Sequence, residues 1–148
     1  MSLAASFFHE TAKPTAEEFL ENMLNVRRGR LAAIVLYHVA DYWFEDNRDV
    51  YADVAAVHLE VIGLCPEFQT IRDVADATKH AELRPQTKIP RTLSASKQAY
   101  LSEGLFTAPF GHGVFAEALE IVVELDDRSQ RSLAIAVNAV LDFWQGRV

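Results

Sequence analysis

Apolar residues recur at helical spacing in five stretches of the chain and alternate with polar ones in a sixth. The first helical stretch opens at Thr15, where Thr15-Ala-Glu-Glu18 after Pro14 has the form of a capping box. Phe19, Leu20, Met23 and Leu24 give it an apolar stripe, and the polar run Asn25 to Arg30, with Gly29, predicts a break or bend. From about Arg30 to Phe44 apolar side chains cover nearly the whole circumference, the mark of a central helix or one in a subunit interface. A third helix is predicted from about Asp49 to Ile62, with Gly63 as its stop. Pro66 suits the first position of a fourth, which runs to about His80 or Leu83.

Pro85 and Pro90 bound a loop, and Gly104, Pro109, Gly111 and Gly113 punctuate the stretch beyond it. Leu119, Ile121, Val123 and Leu125 alternate with Glu120, Val122 and Glu124, as in a half-buried strand. Ser132 caps a closing helix faced by Leu133, Val137, Val140, Leu141 and Trp144. The fold class that emerges is mainly α: a four- to five-helix bundle with a small antiparallel β-hairpin or sheet before the C-terminal helix. It forms a single domain, with helices roughly over 15–83, a β and loop region over 91–129 and the closing helix over 132–145.

Composition narrows the partners. Half of the 148 residues are apolar, enough to bury a core without staples, and the formal net charge is −7. That charge works against general attraction to phosphate backbones, although a local basic patch can override it. The single cysteine, Cys65, forms no internal disulfide. The N-terminal segment has neither the basic region nor the apolar region of a secretory signal, and no apolar run approaches the ~20 residues of a membrane span. The expectation is a cytoplasmic protein with no membrane partner.

The segment Ile71-Arg-Asp-Val-Ala-Asp-Ala-Thr-Lys-His80 carries the most chemistry. At ~100° per residue, Arg72, Asp76 and Lys79 fall within about 40° of one line, with His80 and Asp73 to one side. A guanidinium and an ammonium stabilise phosphate charge, and imidazole transfers protons near neutral pH, so Arg72, Lys79 and His80, with Asp76 orienting His80, could cleave a phosphodiester. The competing reading is an exposed, salt-bridged helix face with Arg72–Asp76 and Asp76–His80 pairs.

This segment, Arg72-Asp-x-x-Asp-x-x-Lys-His80 after a longer apolar helix, resembles the HEPN superfamily of small helical bundles. Seven residues separate Arg72 from His80, more than in the usual family motif. The resemblance covers about residues 15–83. It implies a homodimer acting on RNA as a metal-independent ribonuclease, or a non-catalytic relative in stress or defence, with Arg72 and His80 as the catalytic pair and no cofactor.

Two rival readings stand beside it. His38, Asp41 and His58 could hold a transition metal in the bundle core, as facing ligands on bundle helices do, or the two histidines are simply buried or half-buried residues bonded to backbone or to Asp41. Alternatively, the aromatic segment Tyr37, Tyr42, Trp43 and Phe44 makes the chain a non-enzymatic dimerisation domain. Three further features have weaker signals. Gly111-His112-Gly113 is a turn, Cys65 near a helix start is either a thiol of lowered pKa or, with no partner base evident, a structural thiol, and Arg27-Arg28-Gly29-Arg30 is a basic cluster that would meet a phosphate or cap the preceding helix.

Overall fold

Helical backbone begins earlier than the capping signal at Thr15 suggests. In the computed structural model, which describes residues 1–85, 88–102 and 119–148, Ser2 caps α1 (Leu3–Phe7), its hydroxyl accepting from the Ala5 amide at 3.1 Å. A π turn (Phe8–Ala12) then leads without a break into α2 (Lys13–Leu20). Thr15 lies inside this rod, and the expected capping box is not its start. The wide turn, in which the Lys13 amide donates to the Phe8 carbonyl, carries the helix past Pro14, which has no amide hydrogen to give.

α3 (Val26–Asp46) is the longest helix, capped by Asn25, whose side chain accepts from the Arg28 amide at 3.0 Å. The predicted break at Gly29 is absent. A Cβ there would stand 2.8 Å from Leu133 Cδ2 and 3.0 Å from the Phe19 ring, so Gly29 marks close helix approach and not a bend. At the far end, the Asp46 carboxylate accepts from the Leu3 and Ala4 amides, tying α3 back to the start of α1. Residues 49–53 form turns and bends, and α4 (Val54–Leu64) begins only after the Asp53 cap. Gly63, expected as its stop, lies within it. α5 (Glu67–His80) follows Pro66.

A short 3₁₀ turn (Ser96–Gln98) leads into β1 (Ala99–Leu101), which pairs antiparallel with β2 (Ile121–Glu124), and β2 with β3 (Gln130–Ser132). The alternation of 119–125 predicts a half-buried strand, yet Ile121, Val122 and Val123 are all buried. α6 (Leu133–Gln145) starts on the predicted Ser132 cap, which accepts from the Ile135 amide at 3.3 Å. The fold is mainly α, with five helical rods among the described residues and a three-stranded antiparallel sheet before the last helix. Phe8, Phe19, Leu36, Phe68, Ile71, Val137 and Trp144 belong to one contiguous apolar core in which α3 packs most extensively on α5 and on α2. No helix among the described residues is long and apolar enough to cross a membrane.

Candidate functional site

The polar stripe of α5 does not face solvent along its length. Phe68, Ile71 and Ala75 turn that helix into the core, and the stripe beside them is covered by the returning segment Lys88–Thr92. Asp73 is fully buried, and its Oδ2 accepts from the Thr92 amide at 2.8 Å and the Thr92 hydroxyl at 2.7 Å. Its Oδ1 meets Arg72 Nη1 at 3.1 Å and Arg91 Nη1 at 3.3 Å. Arg72 is only 3% exposed, and its Nη2 also donates to the Ile89 carbonyl at 3.3 Å. Arg91 bridges onward to Asp76.

Two carboxylates and two guanidinium groups thus form one buried to half-buried network. Burial pulls the Arg72 guanidinium below the ordinary arginine value, and Asp73 works in the opposite sense. The exposed, salt-bridged face anticipated for this stripe is therefore not what forms around Arg72. Asp76 is joined to Arg91, and no hydrogen bond links it to His80 among the described residues. The expected orienting role of Asp76 on His80 has no contact behind it.

Beyond this network the stripe opens. A cleft of about 630 Å³ lies at the C-terminal end of α5, walled by Arg72, Asp76 and His80 from the helix and by Arg91 from the covering segment. Tyr37 of α3 and the stretch Glu82 to Arg84 complete it. Lys79 is exposed and does not line it. Tyr37 is half-buried, and its phenol is pushed up to about 12 by burial first, then by the carboxylates of Asp76 and Asp41, so it stays a proton-bearing donor.

No family model matches the chain, and neither a curated protein nor a solved structure does. The site has to be read from its own chemistry.

The metal reading is corrected by placement. His38 shares a 2.6 Å hydrogen bond with Asp41 on a half-exposed face of α3. His58 of α4 is buried against Tyr37 and Phe68, with ring centroids at 5.2 and 5.8 Å. Its Nε2 has no hydrogen-bond partner among the described residues, and burial lowers the imidazole to about 4. The expectation of a half-buried histidine bonded to Asp41 thus holds for His38, which lies outside the core, whereas His58 is buried without such a bond among the described residues. Among the described residues no group of three or more His, Cys, Asp or Glu side chains is placed to hold a metal ion, so His38, Asp41 and His58 do not converge.

The aromatic segment of α3 packs on its own chain, with Tyr37, Trp43 and Phe44 half-buried and Tyr42 still exposed. Tyr42 stacks on Phe7 at 4.1 Å, Trp43 packs against Trp144, and Arg48 lies over Phe44. Cys65 is buried, and burial together with the nearby Glu67 carboxylate pushes its thiol up to about 11, opposite to the expectation from a helix start. Of the basic cluster, Arg30 donates to the Ser96 and Ala99 carbonyls and holds the 3₁₀ turn and β1 against α3. Gly111-His112-Gly113 lies outside the described residues.

Sequence patterning finds three of the groups lining this cleft, Arg72, Asp76 and His80. It misses Tyr37, which its apolar neighbours disguise as core, and it misses Arg84 and Arg91, which flank the proline-bounded loop outside any periodic stretch.

Proposed function

We propose that this chain is a HEPN-like protein whose cleft at the end of α5 engages the backbone of RNA, with His80 as the group that moves protons during phosphodiester cleavage. The observation that carries the reading is the convergence of an exposed imidazole, a protonated phenol and three guanidinium groups on one open cleft. Asp76 and Glu82 line the cleft as well, and Arg72 and Arg91 are paired with Asp73 and Asp76, so it is the charge of Arg84 with the donors of Tyr37 and His80 that suits a phosphate whose charge grows in the transition state. In that reaction the ribose 2′-oxygen bonds to phosphorus and the P–O5′ bond breaks. His80 takes the proton from the 2′-hydroxyl and returns it to the departing 5′-oxygen. The Arg72–Asp73–Arg91–Asp76 network holds the wall of the cleft in shape, and the resemblance to HEPN proteins adds a homodimer to the proposal.

The test is cleavage of a labelled single-stranded RNA with a chelator present, comparing the wild type with His80→Ala. His80 is exposed, so the substitution is expected to abolish cleavage while stability changes by less than about 1 kcal/mol. Undiminished cleavage by the variant overturns the assignment. Sedimentation of the same preparation tests the homodimer.

A further inference from the structure

We infer that Arg84, and not Arg72, is the guanidinium that grips the RNA phosphate in this cleft, an inference that rests on the proposed engagement of RNA. The three arginines of the cleft differ in their commitments. Arg72 is 3% exposed and held by the Asp73 carboxylate and the Ile89 carbonyl. Arg91, with a side chain 11% exposed, is paired with Asp73 and Asp76. An incoming phosphate would have to compete with buried carboxylates for either of them, and freeing one would strand a buried charge. Arg84 is exposed and makes no ion pair or side-chain hydrogen bond among the described residues, yet it lines the same cleft. Its planar fork is available for a bidentate contact with phosphate oxygens.

The backbone is bent to bring it there. Helix α5 ends at His80, and Ala81 then takes φ 61° and ψ −52°, a region that side-chain-bearing residues rarely occupy. The Glu82 amide donates to the His80 carbonyl at 2.7 Å, closing a γ-turn of the strained, positive-φ kind. The chain on either side of Glu82 is pinned. Glu82 bridges to Ala95, the Leu83 amide donates to the Ser94 carbonyl, and the Ser96 amide to the Ala81 carbonyl, each of these two bonds at 2.7 Å. Strain of this sort persists only where the surroundings enforce it, and it gathers at working sites. Here it folds the chain back so that His80 at the helix end and Arg84 four residues on border one cavity with the Tyr37 phenol. A straight continuation of α5 would carry residue 84 away along the helix axis.

Fluorescence anisotropy of the full chain with a fluorescein-labelled 2′-O-methyl oligouridine, which lacks the attacking hydroxyl, separates binding from cleavage. Arg84→Ala is expected to weaken binding about tenfold or more. It is also expected to make the dependence of log affinity on log salt concentration shallower by about 0.7. Arg84→Lys, which keeps the charge and loses the fork, should fall between. Arg48→Ala, which removes an exposed arginine outside the cleft, should bind as the wild type does. If the wild type binds and Arg84→Ala matches it in affinity and salt slope, the role of Arg84 is overturned while the RNA reading stands. If the wild type does not bind the oligouridine at all, the RNA reading itself falls, and the role of Arg84 with it.

Discussion

The buried carboxylate of Asp73 accepts both the backbone amide and the hydroxyl of Thr92, nineteen residues away, at 2.8 and 2.7 Å. That pair fastens the covering segment 88–92 to α5, and it leaves the other Asp73 oxygen for Arg72 and Arg91. Asp73→Ala would take the buried carboxylate away from Arg72 and free Thr92 together. The expected cost is about 3–5 kcal/mol of unfolding free energy, measured by urea denaturation. Asp73→Asn, which keeps an acceptor for Thr92, should cost less; equal stability of Asp73→Ala and wild type would show that the network carries none of this.

Stability should also depend on His58. Its imidazole is neutral in the folded state down to about pH 4, whereas in the unfolded chain it takes a proton near 6.5. Between those values the unfolded state binds more protons, so stability is full above about pH 6.5 and falls as the pH drops toward 4. The shift corresponds to roughly 3 kcal/mol. Urea titrations from neutral pH downward should show a steeper loss for the wild type than for His58→Phe; parallel curves would rule this contribution out.

Two glycines should respond with opposite signs. At Gly29 a methyl group meets Leu133 and Phe19 at 3.0 Å or less, and the expected overpacking, about 1–3 kcal/mol, outweighs the gain of about 1 kcal/mol from better helix propensity. At Gly63 none of the described residues lies within 4 Å of such a methyl, so the propensity gain of about 0.5–1 kcal/mol remains. Thermal melts of Gly29→Ala and Gly63→Ala are expected to move in contrary directions, and a shared direction would refute the packing argument.

The strained turn after α5 offers a fourth prediction. Glycine adopts positive φ without the steric penalty of a Cβ, so Ala81→Gly should raise stability by roughly 1 kcal/mol despite its greater unfolded-state entropy. Guanidinium melts would read the change, and a loss of stability would mean that Ala81 contributes packing the turn geometry does not reveal.

These cases also mark what the sequence makes legible. Where a local signal and the tertiary fold agree, the reading holds. Ser132 caps α6 as its position suggests, and Pro66 stands at the start of α5, at the N-cap and so one place before the first helical position expected for it. Where a residue answers to a distant partner, the local signal misleads. Gly29 reads as a break because nothing nearby in sequence announces Leu133, and Thr15 reads as a cap although the π turn has carried the helix through it. The candidate site divides the same way. Helical spacing places Arg72, Asp76 and His80 on neighbouring lines of one helix, but the burial of Arg72 depends on the segment around Ile89 and Thr92, and Arg84 arrives through a turn that no periodicity encodes.

The lone thiol has a practical consequence. Cys65 sits 6% exposed at the entry to α5, with its proton held up to about 11, so an alkylating reagent at neutral pH finds neither access nor thiolate in the folded chain. Labelling of this residue therefore works as a clock on the opening of the α4–α5 corner: its rate counts how often that corner comes apart, with no engineered probe and no second cysteine to confuse the count.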